Sequence, residues 1–524
     1  MEVLIPSLIP FTCLTIAVLI PLTSIVFSRR ISDLIAFLGA ITVFTLAVNS
    51  FIFVNKVGVA VYKFGGFPPP LGVVYVFDNV NTTLALSSAF ALLLSVLYAL
   101  FFEVNEYRYL LYSLIYLLMT GVYGCLFTGD MFNFYVSVEL MAISSYALTG
   151  FYRGKKAVRA AVIYGVAGTA ITSFLLLASF IIYGSYGTLN IADIALKNRN
   201  TATEVLFSGG IFGDIILPSK VSLALITWIF LFKSGIMPNH FWLPEAYSVA
   251  PTPAIVLFTA SADIVGVYGL ARLYHLVFSE ESAIKDFRAT MLGLLFFLGT
   301  ASAIIASMLV ARQKTIRKLV AYSSISQFSL ALLGIVSGAG EGLAGSVLHL
   351  VANGLGDTAI LYSVGILSYY TANNARSFNN KLATLLAKVV LAIGLLNLFG
   401  VIPIIPGFWS KALLVLGFVK SGMAVAAITV LVSAGLCAVG YFNTLMRVLQ
   451  KYRDGSSVAS NVGINNPLVN IVAITILLLI LLACIGLGVS ITLYLNVRAK
   501  IIELGRNMIN GWGYINAVIP YEVP

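Results

Sequence analysis

Runs of about twenty apolar residues recur from one end of this 524-residue chain to the other. Each run is long enough to cross ~30 Å of hydrocarbon as a helix. Hydrophobic residues make up 60% of the sequence and charged residues only 10%, with a mean hydropathy of +1.00. A soluble domain carries roughly 25% charged residues. The pattern therefore predicts an all-α polytopic membrane protein.

About fourteen of these runs are expected to span the membrane. They start near residues 3, 32, 79, 108, 131, 157, 220, 248, 288, 319, 343, 382, 422 and 467. The first run lacks the basic start of a cleavable signal peptide, so we interpret it as the first helix. Two connections are long: residues 55–77 are rich in glycine and proline, and residues 184–219 are typical of an amphipathic external loop. The tail after Asn496 is too polar to span and is expected at the interface.

The net charge of +11 is concentrated in alternate connections between the runs. Basic residues cluster at Arg29–Arg30, Arg153–Arg159, Arg312–Lys318 and Arg447–Arg453, and the connections between them carry mixed or acidic charge. This alternation is the positive-inside pattern, which places the basic connections in the cytoplasm and both termini outside a cell (inner) membrane. The placement argues against nucleic acid as a partner.

One interrupted pattern occurs twice along the chain. GIMPNHFWLPEA (235–246) is similar to VIPIIPGFWSKA (401–412), about five helices later. An odd offset reverses direction across the membrane, so the pattern favours inverted repeats of five helices. The predicted division is helices 1–3 with the Gly/Pro-rich loop (1–107), a repeat of helices 4–8 (108–278), a repeat of helices 9–13 (286–450), and helix 14 with its tail (466–524).

Ionisable residues inside spans cost roughly 2.5–3.5 kcal/mol each and are therefore candidates for function. The candidates for ion translocation are Glu139, Lys233, Asp263, His349, Asp357 and Lys411. Pro238, Pro403 and Pro406 would break helices 7 and 12 close to two of them. Carbonyls freed by such breaks need water or polar side chains as partners, which predicts hydrated surroundings for Lys233 and Lys411.

Glu139 and Lys233 are the two candidates that charge alone would bring together. Burial favours the neutral form of each side chain, whereas proximity keeps both charged. A pair whose coupling can be made and broken is a sensible proton gate, but a static ion pair between two helices would explain the same residues. The function of His349 has two interpretations as well, because its side chain can relay protons or have a structural role.

Five segments carry a resemblance to a known family. They are GGFPPPLGVVYVFD (65–78), TGDMFNFYVSVEL (128–140), FKSGIMPNHFWLPEAYSVAPTP (232–253), LVAYSSISQ (319–327) and GVIPIIPGFWSKALL (400–414). Together they resemble the antiporter-like subunits shared by respiratory complex I, the Mrp cation/proton antiporters and membrane-bound hydrogenase-type complexes. The first two look most like the D subunit of Mrp antiporters and its archaeal hydrogenase-type relatives.

The resemblance implies fourteen helices, two inverted repeats and a hydrated polar axis that contains Glu139, Lys233 and Lys411. It also implies that this chain binds no redox cofactor, and that partner subunits carry flavin, iron–sulfur clusters or a nickel–iron site. The four cysteines agree with that expectation, because they fall inside predicted helices without CxxC spacing and are typical of small buried hydrophobes.

Two positions depart from the family pattern. Asp263 lies beside the position of the usual lysine of helix 8, and Asp357 occupies that of the usual lysine of helix 11, with Asn353 in place of a second histidine. Carboxylates suit sodium as well as protons, so a sodium site at Asp263 and Asp357 is one hypothesis. A central axis that has lost conduction and only transmits conformational coupling is its rival.

Three functions are compatible with these features. The favoured one is a proton- or sodium-translocating subunit of a redox-driven respiratory or hydrogenase-type complex, with no catalytic centre of its own. The second is a subunit of a stand-alone Mrp-type sodium/proton antiporter, and the third is a non-conducting structural subunit of a membrane arm. The expected partners are other antiporter-like and small membrane subunits, a peripheral redox arm and the lipid bilayer.

Overall fold

The protein is a bundle of long apolar helices in a computed structural model that describes residues 3–103, 106–199, 211, 214–372, 378–452 and 467–519. Thirteen of the described helices are long and apolar enough to cross a membrane, which confirms a polytopic all-α membrane protein. The helices in chain order are α1 (Leu4–Val26), α2 (Arg29–Val57), α3 (Asn79–Phe102), α4 (Arg108–Phe127), α5 (Met131–Thr149), α6 (Lys155–Tyr186), α7 (Ile191–Arg199), α8 (Ile216–Lys233), α9 (Trp242–Val249), α10 (Thr252–Leu257), α11 (Ile264–Arg272), α12 (Lys285–Arg312), α13 (Ile316–Val336), α14 (Gly340–Ala372), α15 (Phe378–Phe399), α16 (Pro406–Lys420), α17 (Ala424–Lys451), α18 (Pro467–Leu493), α19 (Leu495–Asn510) and α20 (Trp512–Val518).

The expected span that is missing from the thirteen is α5, the helix that carries Glu139. Its sequence mixes apolar residues with Asn133, Glu139 and several hydroxyl residues, so it is less apolar than its neighbours. It packs between α4 and α6 in the bundle. This packing is consistent with a fourteenth crossing that is stabilised by neighbouring helices rather than by its own hydrophobicity.

Two helices are interrupted where the prolines predict. The chain leaves helical structure between Lys233 and Trp242, around Pro238, and again between Phe399 and Pro406, around Pro403. Pro406 itself begins α16, a position where its missing N–H costs no helical hydrogen bond.

The first interruption is held by one aromatic side chain. The ring of Trp242 stacks on that of Tyr164, with 3.9 Å between centroids, and its Nε1 donates to the Phe232 carbonyl at 3.0 Å. A buried indole that satisfies a carbonyl at the end of α8 ties the second helix segment to the first.

The helix at the centre of the bundle is irregular. A π-helical turn, Phe258–Ala262, joins α10 to α11, and a second π-helical turn, Leu273–Val277, follows α11. The apolar window of this span is buried throughout by its neighbours. Such turns are frequent at functional sites because they leave helix geometry locally altered.

Short elements cover the end of the bundle opposite the basic connections. The Gly/Pro-rich connection 55–77 contains an antiparallel hairpin, β1 (Ala60–Lys63) and β2 (Val74–Phe77), with Ala60 opposite Phe77. The sequence did not predict these strands. The tail forms α19 and α20, which are too short or too polar to span, as expected, and α19 packs against α14. Part of the loop 184–219 forms α7, whereas residues 200–210, 212–213 and Arg453 lie outside the described residues.

The four cysteines are buried in helices, as predicted, and none of them forms a disulfide.

Candidate functional site

Lys411 occupies the second helix interruption. It lies in the second turn of α16, and its Nζ donates hydrogen bonds to the carbonyls of Leu398 (2.5 Å) and Phe399 (2.8 Å), the last residues of α15. The last carbonyls of a helix have no partner within the helix, and a cation near them is stabilised by the helix dipole. The buried ammonium group is thus held by the carbonyls that the break releases.

His349 lies beside this lysine. Its Nδ1 is 2.9 Å from Oγ of Ser410, the residue that precedes Lys411, and that hydroxyl also donates to the Gly407 carbonyl. Nε2 of the same imidazole has no hydrogen-bond partner among the described residues. A ring with one fixed and one free nitrogen has the geometry of a proton relay. Whether it relays protons stays a prediction.

Lys233 occupies the first interruption in a different manner. It is the last residue of α8 and is 2% exposed, and within the described part of the chain its Nζ makes neither a hydrogen bond nor an ion pair. Glu139 and Asp263 act on it electrostatically, but neither carboxylate forms an ion pair with it. The expected contact between Glu139 and Lys233 is therefore absent in this conformation, although the two groups are close enough to interact.

Asp263 lies close to Lys233 in the fold. Its Oδ2 accepts a hydrogen bond from the hydroxyl of Tyr247 at 2.7 Å, and its backbone carbonyl accepts one from Oγ of Ser234 at 3.3 Å. Ser234 directly follows Lys233 in the chain, so the second hydrogen bond joins the backbone of Asp263 to the residue next to the lysine.

Asp357 is enclosed by three hydrogen-bond donors, and it forms no ion pair with a cation in the described part of the chain. Its Oδ2 accepts from Oγ1 of Thr259 (2.5 Å), Oγ of Ser324 (3.0 Å) and Nδ2 of Asn353 (3.1 Å), and the carboxylate is fully buried. Oδ1 of Asp357 and Oδ1 of Asn353 have no partner among the described residues. The pocket is rich in oxygen atoms, has one carboxylate, and leaves two oxygens free.

The structure connects several of the candidates through helices that they share. The π-helical turn carries Thr259 and immediately precedes Asp263, so it connects the Asp357 pocket to the side of Lys233. His349 shares α14 with Asp357 but hydrogen bonds to α16, whereas Asp357 hydrogen bonds to the π-helical turn and to α13. The two residues lie on one helix but contact different neighbouring helices.

Several polar residues of this arrangement were not among the predicted candidates. Thr259, Ser324 and Tyr247 are ordinary residues in sequence, and only packing places their hydroxyls on the two aspartates. Arg272 carries a signal that could have been used, because it is a cation inside an apolar span. Its buried partner Asp78 precedes a helix as an N-cap residue does, and its side chain accepts from the backbone of Val80 and Asn81.

A bundle with two interrupted helices and a row of buried ionisable residues defines the class of membrane ion-transport subunits. The chain belongs to the NADH:quinone oxidoreductase/Mrp antiporter transmembrane family, whose model matches residues 128–437. This result confirms the resemblance seen in the sequence segments.

Individual relatives agree over almost the whole chain. The chain is 27% identical over 508 residues to the antiporter subunit mnhD2 of Staphylococcus aureus (strain JH9), a match that covers 96% of this chain and 95% of the relative. A chain of the membrane-bound sulfane sulfur reductase, an archaeal respiratory membrane complex, superimposes with a TM-score of 0.84 at 25% identity, covering 98% of this chain and 99% of that one. Chains of the Mrp complex from Dietzia sp. DQ12-45-1b (TM-score 0.78, 21% identity, covering 99% of each chain) and of respiratory complex I from Thermus thermophilus (0.75, 21%, covering 97% and 99%) share the fold.

Proposed function

We propose that this antiporter-like subunit translocates protons or sodium ions within a redox-driven membrane complex. Electron transfer would take place in partner subunits of a peripheral arm, which would also hold the redox cofactors. The observation that carries the proposal is the pair of buried lysines at the two helix interruptions. Burial of a lysine inside an apolar bundle is costly, and for Lys233, whose Nζ has no hydrogen-bond partner among the described residues, static packing does not offset that cost.

The two lysines differ in a way that suits transport. Lys411 is held by two carbonyls, whereas Lys233 has no hydrogen-bond partner among the described residues but has Glu139 and Asp263 nearby. A cation that can form an ion pair with either of two carboxylates has two arrangements available, which is what a coupled ion step requires. This supports a gate over a static Glu139–Lys233 pair.

The ion can be a proton or sodium at the two aspartates. The Asp357 pocket combines one carboxylate with amide and hydroxyl oxygens, a donor set that suits a hard monovalent cation. Asp263 has a single side-chain partner, Tyr247, and lies near a lysine, which suits exchange of a proton. The proposal therefore includes sodium binding at Asp357, and it keeps Asp263 as a second candidate carboxylate for sodium.

A stand-alone Mrp-type antiporter is the second candidate function. It is favoured by the similarity to mnhD2, which is named an antiporter subunit, whereas the superposition on the sulfane sulfur reductase favours a respiratory complex. Both assemblies would use this subunit for ion movement.

We also propose that other membrane subunits cover the outward face of α5. Glu139 is only partly buried in the isolated chain, and Phe132, Val136 and Ile143 are exposed on the same helix. A carboxylate on a lipid-facing surface would be costly, so a neighbouring subunit is the better environment for it. The basic connections would face the cytoplasm and the termini the outside, because Arg29, Arg153, Arg312 and Arg447 lie in or beside alternate connections, which successive crossings bring to the same end of the bundle.

The proposal is tested on the complex purified from native membranes through a tag on this chain. Co-purifying subunits with bound iron or nickel would identify a redox complex, and their absence beside small membrane subunits would identify an antiporter. In reconstituted vesicles, Lys233→Ala is expected to abolish coupled ion transport, since it removes the buried cation on which Glu139 and Asp263 act. Normal transport in this variant, with the complex intact, would identify a structural subunit instead.

A further inference from the structure

Two cavities follow one another between Lys233 and the end of the bundle opposite the basic connections. The outer cavity has a volume of about 200 Å³, and its polar lining includes Asp78, Asn79, Asn507 and Asn510. The inner cavity has a volume of about 30 Å³ and is mainly apolar. The first has room for several water molecules and the second for about one or two.

The inner cavity ends close to the lysine. Phe230 and Cys125 line it, and Phe230 precedes Lys233 by three residues, ~4.5 Å along the axis of α8. Lys233 itself does not line the inner cavity, which begins at Phe230 in the same helix and extends towards the outer end of the bundle.

Among the described residues, only two line both cavities: Arg272 at the end of α11, and Tyr514 in α20. The guanidinium of Arg272 forms an ion pair with Asp78, and its Nε donates to the hydroxyl of Tyr268 at 3.0 Å. The same group lies 5.4 Å from the centroid of the Tyr514 ring, a cation–π contact. These contacts close the space between the two cavities.

The closing contacts join three different segments of the chain. Asp78 is fixed to α3, because its Oδ1 accepts the backbone N–H groups of Val80 and Asn81 at 2.9 Å each. Tyr514 is supplied by a seven-residue helix that follows a left-handed glycine, Gly511, at φ +59°. Arg272 directly precedes a π-helical turn.

We propose that the two cavities form an ion pathway between the outer face and Lys233, and that the Arg272–Asp78 pair together with Tyr514 is its gate. The pathway takes a proton carried on water or a partly dehydrated monovalent cation. Displacement of α20 removes the tyrosine from the arginine and joins the two cavities. The inference rests on the proposed role of Lys233 in transport.

The native thiol of Cys125 tests the pathway without any need for transport. Silver ions resemble alkali cations in size and bind a thiol as it releases its proton to the medium. Their access is measured in sealed membrane vesicles of both orientations, by protection of Cys125 from later alkylation, read by mass spectrometry. The other three cysteines are replaced by serine for this measurement.

Silver added at the outer face is expected to react slowly with Cys125 in the parent chain. Tyr514→Ala should raise that rate roughly 2- to 30-fold, the factor by which loss of one cation–π contact shifts an opening equilibrium. Tyr514→Phe keeps the ring over the guanidinium and should leave the rate unchanged. Silver added at the cytoplasmic face should show no such increase.

A chain that retains only Cys484 is the matched control, because that thiol is buried in α18 and lines neither cavity. An unchanged rate at Cys125 in Tyr514→Ala would overturn the gate, and so would an equal rise at Cys484, which would show general loosening. Since labelling requires no ion transport, failure of the gate is distinguishable from failure of Lys233→Ala to abolish transport.

Discussion

Replacement of Asp357 by asparagine separates an ion-binding role from a structural role. The amide has the shape of the carboxyl group, and its oxygen can accept the hydrogen bonds that Thr259, Ser324 and Asn353 donate to Oδ2. The substitution therefore removes the ability to bind a proton or sodium ion and changes the packing little.

The magnitude follows from those three hydrogen bonds. A hydrogen bond to a charged acceptor contributes about 1 kcal/mol more than one to a neutral acceptor. Replacement of the carboxylate by an amide therefore removes about 3 kcal/mol of stabilisation over the three hydrogen bonds. The same replacement also removes the cost of burying an ionised carboxylate, which is several kcal/mol, so this contribution stabilises the variant. The two contributions oppose each other, and we expect the free energy of unfolding to change by no more than ~2 kcal/mol.

Transport is expected to fall much more than stability. If the carboxylate is the binding group of the pathway, Asp357→Asn should lower coupled sodium or proton uptake at least ~10-fold, equivalent to a loss of ~1.4 kcal/mol of binding. The assay is uptake of radioactive sodium, and quenching of a pH-sensitive dye, in vesicles that contain the intact complex. Thermal unfolding is followed in parallel.

Two comparisons make the result specific. Asp357→Leu removes the shared acceptor of Thr259 and Asn353 and leaves Nδ2 of Asn353 with the Thr259 hydroxyl alone, so it should destabilise the chain by ~1–3 kcal/mol and lose transport as well. Asp263→Asn, in which Tyr247 keeps a partner, reports on the other carboxylate. Normal ion uptake by both asparagine variants would refute conduction through this part of the axis and favour the conformational-coupling hypothesis.

The remaining predictions concern the helix interruptions. A Cβ on Gly488 would lie 2.0 Å from the Ile404 carbonyl in the second interruption, so Gly488→Ala should lower the unfolding temperature, at a cost of about 1–3 kcal/mol or more. Gly486→Ala, in the same helix with open space around it, is the control and should be neutral or slightly stabilising; equal effects would contradict the packing. Trp242→Phe keeps an aromatic ring but removes one of two donors to the Phe232 carbonyl, which still accepts the N–H of Gly235 at 3.0 Å. The loss of this one hydrogen bond should cost about 0.5–1.5 kcal/mol in thermal unfolding of the complex, and an unchanged melting curve would show that water replaces the indole.

The sequence by itself determined the membrane class, the number of spans to within one helix and the family. These follow from local properties, since apolar length, proline position and charge alternation act on each segment separately. The two interruptions were also predictable, because Pro238 and Pro403 cannot continue a helix. The inverted repeats inferred from the similar proline segments stay a prediction.

Only the tertiary structure decided what each buried charge contacts. The sequence listed Lys233 and Lys411 as equivalents, yet packing places two carbonyls on the Nζ of one and leaves the other without a hydrogen bond among the described residues. Thr259 and Asp357 are separated by 98 positions, and no periodic pattern predicts their 2.5 Å contact. Such contacts depend on how the helices pack side by side in the bundle. The sequence of one segment does not specify how the neighbouring helices are rotated or shifted along their axes.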